Sequence, residues 1–284
     1  MTTDIHLGVL KNGQLQNGDL QNNSSDAIRH SIEHQLAAVV NGEIRFSQHD
    51  RMLYSTDASL YQVEPIGVVI PNTVADGVEA VRVCGRLGVP ILARGGGTAL
   101  AGQTVNHAVV VDFSANCREI LQIDPVARRV RVEPGVVLDQ LNGALSPHGL
   151  MFGADVATGS HATLGGMIGN NSAGANSILY GRTVEHLISL DVVLADGTRI
   201  RFAEGSSEND PKVKELTRRL AEIILPIADE IDRRIPKILR HVDGYNLDIL
   251  LAQLRASTPG TYDRVNLAHL FCGSEGTLGV TVEA

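Results

Sequence analysis

Residues 93–103 read Ala-Arg-Gly-Gly-Gly-Thr-Ala-Leu-Ala-Gly-Gln and directly follow a short apolar stretch, residues 89–92. Backbone without Cβ atoms can adopt left-handed angles, so successive N–H groups can point into one concavity that binds an anion. Arg94 adds a fixed positive charge and Thr98 adds a hydroxyl group. The stretch predicts a strand followed by a diphosphate-binding loop, but a tight turn without a ligand explains a single glycine-rich loop equally well.

Two common nucleotide-binding patterns fit this loop poorly. The Rossmann pattern Gly-x-Gly-x-x-Gly, started at Gly95, places Leu100 where the third glycine belongs. The P-loop pattern nearly fits residues 97–104, but Gln103 replaces the lysine that neutralises terminal phosphates. A nucleoside triphosphatase is therefore a remote alternative.

Two further glycine-rich stretches favour a ligand-binding loop over a tight turn without a ligand. Residues 153–181 are small, polar and low in charge, too long for an ordinary connection unless they serve a function. Small side chains let the backbone approach a large flat ligand closely. Residues 273–279, Gly-Ser-Glu-Gly-Thr-Leu-Gly, form the third stretch.

In this order and spacing, the three stretches resemble the FAD-binding domain of the p-cresol methylhydroxylase (PCMH) and vanillyl-alcohol oxidase superfamily. Within it, the chain resembles the FAD-linked oxidase branch, which is typified by glycolate oxidase, D-lactate dehydrogenase and D-2-hydroxyglutarate dehydrogenase. The resemblance extends from about residue 32 to the last residue, and it is carried also by residues 54–61, 65–71, 132–136, 166–174, 180–183 and 244–248.

Pattern and resemblance together imply an α+β fold with two lobes. The smaller lobe is a β-α-β unit, and the larger lobe has a mixed or antiparallel sheet with flanking helices. We expect a disordered tail over residues 1–25, lobe one over 26–112 and lobe two over 113–284. The family's substrate-binding cap domain would follow residue 284, so we expect the flavin domain alone.

Local signals predict the elements of these lobes. Thr73 and Asp76 begin a helix with a capping-box pattern, and Gly88 ends it. An Asp26-capped helix should reach about residue 40, and residues 41–64 read as irregular. We further predict strands at 68–70, 89–92, 108–112, 267–272 and 278–282, and hairpins at 120–132 and 190–202. Helices are predicted at 136–146 and at 210–238, the second with interruptions at Pro226 and Pro236.

The glycine loop and the resemblance together nominate cofactor-binding residues. The diphosphate cradle comprises Arg94, Gly95, Gly96, Gly97, Thr98, Ala99 and Leu100, and Pro71 and Gln103 join the site. By resemblance, the flavin ring and the ribityl chain lie against Pro134, Gly135, Asp155, Thr158, Gly159, Ser160, Thr163, Gly165 and Gly166. The remaining nominees are Asn170, Asn171, Ala173, Gly174, Tyr180, Gly181, Glu275, Gly276 and Val280. For the two asparagines, a turn that satisfies the local backbone is the alternative.

The resemblance also indicates that FAD is bound non-covalently. Relatives with tethered flavin carry a His just after the first glycines, where this chain has Thr98. Relatives with a second tether use a Cys in the second stretch, and residues 153–181 contain no Cys.

No catalytic residue and no metal site can be assigned from the sequence. His161 could approach the flavin, but a loop histidine bonded to backbone is the favoured interpretation. The base and the cation for a substrate carboxylate are expected in the cap domain. We expect structural hydrogen-bonding roles for Asp57 with Tyr61 and for Asp243 with Tyr245 and Asn246.

Composition narrows the class of protein. Hydrophobic residues make up 43% and aromatic residues 4%, so the core must be aliphatic. A net charge of -8 disfavours a nucleic-acid surface. Three cysteines without a C-x-x-C pair favour reduced thiols. Without a signal-peptide pattern or an apolar stretch of about 18 residues, we expect no transmembrane segment and a cytoplasmic or membrane-peripheral protein.

The expected activity is oxidation of a small-molecule 2-hydroxy acid to a 2-oxo acid by hydride transfer to flavin N5. The alternative is a non-catalytic FAD-binding subunit that needs a partner chain or a cap domain for substrate. A reductase of a nucleotide-sugar enolpyruvate shares the fold and is less favoured because of residues 273–279. The electron acceptor, whether quinone, electron-transfer flavoprotein or fused iron–sulfur domain, stays undetermined.

Overall fold

The computed structural model describes residues 19–284 except residues 239 and 243. It contains strands β1 (Gly42–Arg45), β2 (Gly67–Pro71), β3 (Ile91–Arg94), β4 (Val109–Asp112), β5 (Ile120–Asp124), β6 (Arg129–Val132), β7 (Ser189–Val193), β8 (Arg199–Ala203) and β9 (Val280–Glu283). Its α-helices are α1 (Asp19–Ala37), α2 (Gln48–Leu53), α3 (Val74–Leu87), α4 (Leu138–Leu145), α5 (Leu164–Asn170), α6 (Ser177–Tyr180), α7 (Thr183–His186), α8 (Ser206–Asn209), α9 (Pro211–Ile224), α10 (Ala228–Arg234), α11 (Leu247–Ala256) and α12 (Ala268–Phe271).

The first sheet has the order β1-β2-β4-β3. Strands β2 and β3 both pair in parallel with β4, and β1 pairs antiparallel with β2. Parallel pairing places the carboxyl ends of β3 and β4 at one edge, and the first glycine loop leaves the sheet there. The predicted strand-to-loop transition is confirmed.

Helix α3 connects β2 to β3 and begins as predicted. The Oγ1 atom of Thr73 accepts from the N–H of Asp76 at 3.2 Å, and the Asp76 carboxylate accepts from the N–H of Thr73 at 3.0 Å. Gly88 ends the helix with φ 64°, a left-handed angle that favours glycine. Val78 and Val81 are buried and pack this helix into the core of the first sheet.

The remaining sheets are antiparallel. Strands β5 and β6 form one hairpin, and β7 pairs with β8 on one side and β9 on the other. Both predicted hairpins are confirmed. Helices α9, α10 and α11 pack with β7 and β8 around a core that includes Leu190, Phe202 and Leu251. The fold is α+β, as predicted.

The proposed lobes share a core. Val193, Val280 and Val282 of the third sheet belong to the same cluster of buried residues as Val69 and Val111 of the first sheet. The division at residue 113 stays a proposal, because this cluster includes residues from both sides of it.

Four local predictions are corrected. Residues 267–272 contain α12 rather than a strand, because a short, fully buried apolar stretch has no periodicity to distinguish the two. Residues 41–64 are not wholly irregular, since they form β1 and α2. Helix α1 begins at Asp19 rather than after Asp26, while residues 1–18 of the expected tail lie outside the described residues. The predicted 210–238 helical region ends earlier, at Arg234, while its expected interruption at Pro226 is confirmed by the short 3-10 turn Leu225–Ile227 between α9 and α10.

Candidate functional site

A cleft of about 460 Å³ lies where the three glycine-rich stretches meet. Its volume falls within the range of about 300–1,000 Å³ that is usual for small-molecule sites. Seventeen predicted residues line it, namely Arg94, Gly95, Gly96, Gly97, Thr98, Ala99, Gln103, Pro134, Thr158, Thr163, Gly165, Gly166, Asn170, Ala173, Glu275, Gly276 and Val280.

The first glycine loop presents a row of backbone donors to this cleft. The N–H groups of residues 95–99, all of which line the cleft, donate to no acceptor among the described residues. Gly97 has φ 65°, and its carbonyl accepts from the N–H of Ala58 at 3.0 Å, which holds the turn in place. Consecutive free N–H groups on a glycine turn form the concavity that binds phosphate oxygens.

Gly95 and Gly96 are required by a contact between two of the glycine-rich stretches. A Cβ atom on Gly95 would overlap the Thr163 hydroxyl, and one on Gly96 would overlap the carbonyl oxygen of His161. The first loop can therefore pack against the second stretch only without side chains at these positions.

Arg94 was predicted to bind the diphosphate, but its guanidinium is bonded to backbone carbonyls of the protein. Its guanidinium donates to the carbonyl oxygens of Tyr54 at 3.2 Å, Thr104 at 3.0 Å and Thr56 at 2.8 Å. It also lies 5.3 Å from the centre of the Tyr54 ring. The Arg94 guanidinium therefore holds the start of the loop to the backbone of residues 54–56 and 104.

Tyr54 connects this anchor to the end of β4. Its hydroxyl donates to the carboxylate of Asp112 at 2.7 Å. Burial, together with the negative charge of Asp112, raises the pKa of Tyr54, so the phenol stays protonated. A series of contacts from Asp112 through Tyr54 to Arg94 thus positions the start of the loop.

Helix α5 supplies a surface rather than free N–H donors. The N–H groups of Leu164 and Gly165 each donate at 2.8 Å to backbone carbonyls, and that of Gly166 donates to the Thr163 hydroxyl at 3.3 Å. A Cβ on Gly165 would lie 2.8 Å from Pro134. The helix start therefore offers close approach to a flat ligand.

The third stretch closes the cleft opposite the first loop. The N–H of Glu275 donates to the carbonyl of Gly169 at 2.9 Å, and Glu275 adopts a left-handed φ of 51°. The side-chain amide of Gln103 donates to the Glu275 carboxylate at 3.4 Å. This bond links the first and third glycine-rich stretches across the cleft.

Ten nominated residues do not line the cleft. Asn171 is fully buried, and its side-chain oxygen accepts from the N–H of Val184 at 3.1 Å, so the structural alternative holds for it. Asp155 accepts from the N–H of Asn176 at 2.9 Å and ties together two parts of the second stretch that lie 21 residues apart. Gly135 packs against backbone carbonyls. The others are Pro71, Leu100, Gly159, Ser160, Gly174, Tyr180 and Gly181, and in each case the chain passes outside the cleft wall.

Several lining residues carried no sequence signal of their own. Phe113 follows β4, Met167 lies on α5, and Phe271 ends α12. Each is an apolar residue of an ordinary core pattern, so only the packing shows that one edge faces the cleft. Thr104 could have been found, because it directly follows Gln103 in the first loop.

The residues expected to be structural make protein contacts. His161 shares a 2.8 Å hydrogen bond with the Ser160 hydroxyl rather than with backbone, because the neighbouring hydroxyl is within reach. Asp57 accepts from Thr104 Oγ1 at 2.8 Å. Burial alone would raise the pKa of Asp57, but bonds from Ser59 and Thr104 outweigh it and lower the pKa. Asn246 is buried and donates to the Cys272 carbonyl at 2.7 Å, while Asp243 lies outside the described residues.

Comparison with known proteins agrees with this geometry. Residues 65–203, which include the first loop and the second stretch, match the family described as FAD binding domain. This segment of the chain is similar to FAD-binding domains of the PCMH type. The cofactor is FAD, and the free N–H groups of residues 95–99 are available to its diphosphate.

Two curated relatives are similar over much of this chain. D-2-hydroxyglutarate dehydrogenase of Pseudomonas putida is 37% identical over 86% of the chain, which covers 24% of that protein. Glycolate oxidase subunit GlcD of Escherichia coli is 34% identical over 65% of the chain, which covers 38% of that protein. The FAD-binding chain thus spans about a quarter of the length of the dehydrogenase.

The fold has solved counterparts. A structure of alkyldihydroxyacetonephosphate synthase superimposes with a TM-score of 0.62 at 18% identity, covering 90% of this chain and 42% of that one. At this identity the likeness shows the fold alone. No described helix combines the length and apolar character needed to cross a membrane.

Proposed function

We propose that this chain is the FAD-binding domain of an oxidoreductase that converts a 2-hydroxy acid into a 2-oxo acid. One observation supports it most: the cleft with its row of free N–H groups belongs to a chain that is 32–37% identical to four D-2-hydroxyglutarate dehydrogenases. The substrate class rests on these relatives, and the cofactor site rests on the loop.

Each part of the cleft has a task in this proposal. The N–H groups of residues 95–99 hold the diphosphate, and the surface of α5 with Pro134 supports the flat ring. Bound FAD supplies the acceptor for the hydride that leaves the substrate Cα. The described lining residues include no His and no Lys, so we place the general base outside this cleft wall.

Flavin reduction tests the proposal directly. The purified chain, loaded with FAD, would be mixed anaerobically with D-2-hydroxyglutarate, D-lactate or glycolate while the flavin absorbance is followed by stopped flow. We expect the chain to bind FAD; bleaching by one of these acids, and not by the corresponding acid without the hydroxyl, would show that the chain also carries the groups needed for hydride transfer. A sample that binds no FAD would contradict the whole proposal.

The second candidate is a non-catalytic FAD-binding module that takes its substrate groups from another domain or chain. The lack of a His or Lys base among the described lining residues favours it. FAD binding without bleaching by any 2-hydroxy acid would select this module over the complete enzyme.

We further propose a cytoplasmic location, with a partner chain or a fused cap or iron–sulfur domain. The support is the set of three buried, unpaired cysteines, which suits a reducing compartment. Size-exclusion chromatography of the native protein from its source would show whether a partner accompanies the domain.

A further inference from the structure

Arg240 lies on the connection between α10 and α11, and its side chain is bonded to the backbone of a residue that lines the FAD cleft. Its Nη2 atom donates to the carbonyl oxygen of Ala173 at 3.2 Å, and Ala173 lines the cleft. The side chain is otherwise exposed. Since a guanidinium carries several N–H donors in a fixed fork, this contact leaves donors for a second acceptor.

The connection that carries Arg240 is tied down after it. The guanidinium of buried Arg182 donates to the carbonyl oxygen of His241, the next residue along the chain. Further on, the Tyr245 hydroxyl bonds to Thr277 Oγ1 at 2.9 Å, and Thr277 also lines the cleft. Arg240 and Tyr245 are therefore each bonded to a residue that lines the cleft.

The charges on the cleft wall create a need for such a cation. Arg94 and Glu275 are the charged side chains among the described lining residues. The guanidinium of Arg94 is committed to three backbone carbonyls, and the carboxylate of Glu275 repels anions. FAD brings a diphosphate into a chain that already carries a net charge of -8. Any further negative charge in the cleft therefore lacks an accessible cation on the wall itself.

We propose that Arg240 supplies positive charge to an anionic oxygen in the cleft, as a positioning and charge-supplying residue for the reaction. The inference rests on the proposed function and deepens it. Two sources share this chemistry: the carboxylate of the 2-hydroxy acid, and the negative charge that the flavin gains on reduction. A guanidinium suits both, because it stays protonated and offers two parallel donors.

The test compares Arg240→Gln and Arg240→Lys with the wild-type chain, all loaded with FAD. Arg118→Gln serves as a matched control, because Arg118 is also exposed and its side chain contacts no described acceptor. The first measurement is the two-electron midpoint potential, titrated against a reference dye without substrate. The second is the affinity of the oxidised protein for 2-oxoglutarate and oxalate, followed through the flavin spectrum.

The two possible sources of the negative charge predict different changes in midpoint potential and in anion affinity. If Arg240 stabilises the reduced flavin tenfold, Arg240→Gln lowers the midpoint potential by about 30 mV and Arg240→Lys largely restores it. If it binds the carboxylate, Arg240→Gln weakens anion binding at least about tenfold at an unchanged potential, in line with the loss of one charge-assisted bond.

A wild-type potential together with wild-type anion affinity in Arg240→Gln overturns the inference. Should Arg240→Gln fail to retain FAD, Arg240→Met replaces it, because it also removes the charge while keeping an unbranched side chain, and wild-type potential together with wild-type anion affinity in that variant likewise overturns the inference. A wild-type chain that binds no FAD instead contradicts the proposed function, so the two failures are distinguishable.

Discussion

At the scale of single residues, the glycines of the first loop are needed for reasons beyond the cofactor. Gly96 faces the carbonyl oxygen of His161, a residue 65 positions further along the chain. Side-chain atoms at this position would push the first loop away from the second stretch. The cradle therefore depends on the contact between the two stretches as much as on the free N–H groups.

We predict that Gly96→Val weakens FAD binding by more than about tenfold, since the branched side chain would separate the two stretches and lose at least one charge-assisted bond to the diphosphate. Quenching of FAD fluorescence on titration measures this. Gly143→Ala is the control, because a Cβ at Gly143 meets nothing within 4 Å and alanine suits helix α4. Full FAD occupancy in Gly96→Val would contradict the assignment of the cradle.

Arg94 should matter to the folded domain even without FAD. A lysine cannot bond to the carbonyls of Tyr54, Thr56 and Thr104 at once, so we expect Arg94→Lys to lower the free energy of unfolding by about 2 kcal/mol. Tyr54→Phe, which loses only the bond to Asp112, should cost about 1 kcal/mol.

Urea denaturation of the FAD-free chain measures both effects, with Arg118→Lys as the exposed control. If Arg94→Lys were as stable as the wild type but bound FAD poorly, Arg94 would act as a direct phosphate ligand and not as the anchor described above.

At the scale of elements, the reciprocal cap at the start of α3 fixes the helix between β2 and β3. Thr73 and Asp76 satisfy each other's backbone N–H groups, and the Asp76 carboxylate also accepts from the Asn41 N–H at 3.1 Å. Burial alone would raise the pKa of Asp76, but the bonds from Thr73 and Asn41 outweigh it and lower the pKa. The ionised carboxylate is therefore part of the native cap.

We expect Thr73→Ala to lower the free energy of unfolding by about 1 kcal/mol at pH 7. The Asp76 pKa is lower in the folded state than in the unfolded chain, so its contribution is complete above the unfolded value, about 3.9. It is lost as the pH falls through the folded value. Urea denaturation at pH 7 and near pH 3 should show a smaller penalty for Asp76→Asn at the lower pH. A penalty independent of pH would contradict the role of the charge.

At the scale of the whole molecule, bound FAD should stabilise a fold whose cleft is built from three distant stretches. At a free concentration of 100 times its dissociation constant, a ligand that binds only the native state adds about 2.7 kcal/mol. Thermal shift of the chain against increasing FAD measures this gain, with riboflavin, which lacks the diphosphate, as the matched ligand. Equal stabilisation by riboflavin would contradict a diphosphate-binding loop.

The same sample can be used to test whether FAD is covalently attached to the protein. With Thr98 in place of a histidine, we predict that precipitation in acid releases all of the yellow colour into the supernatant. Flavin that stays in the washed pellet would show a covalent link.

The sequence by itself determined the features that are local in the chain. The capping box of α3, the turn at Gly88 and the hairpins from β5 to β8 depend on residues a few positions apart, and each was predicted from them. The glycines and their spacing likewise indicated three stretches around one cofactor. Helix α12 escaped prediction because a buried apolar stretch of four or five residues fits helix and strand alike.

Only the tertiary structure decided which of these residues face the cleft. Asn170 lines it while its neighbour Asn171 is buried, and the chain gives no local reason for the difference. The guanidinium of Arg94 reaches carbonyls 40 residues away, and Arg240 reaches Ala173 across 67 residues. Such contacts depend on how packed elements bring distant backbone atoms together, because the residue type fixes whether a side chain donates or accepts while the fold fixes which partner it meets.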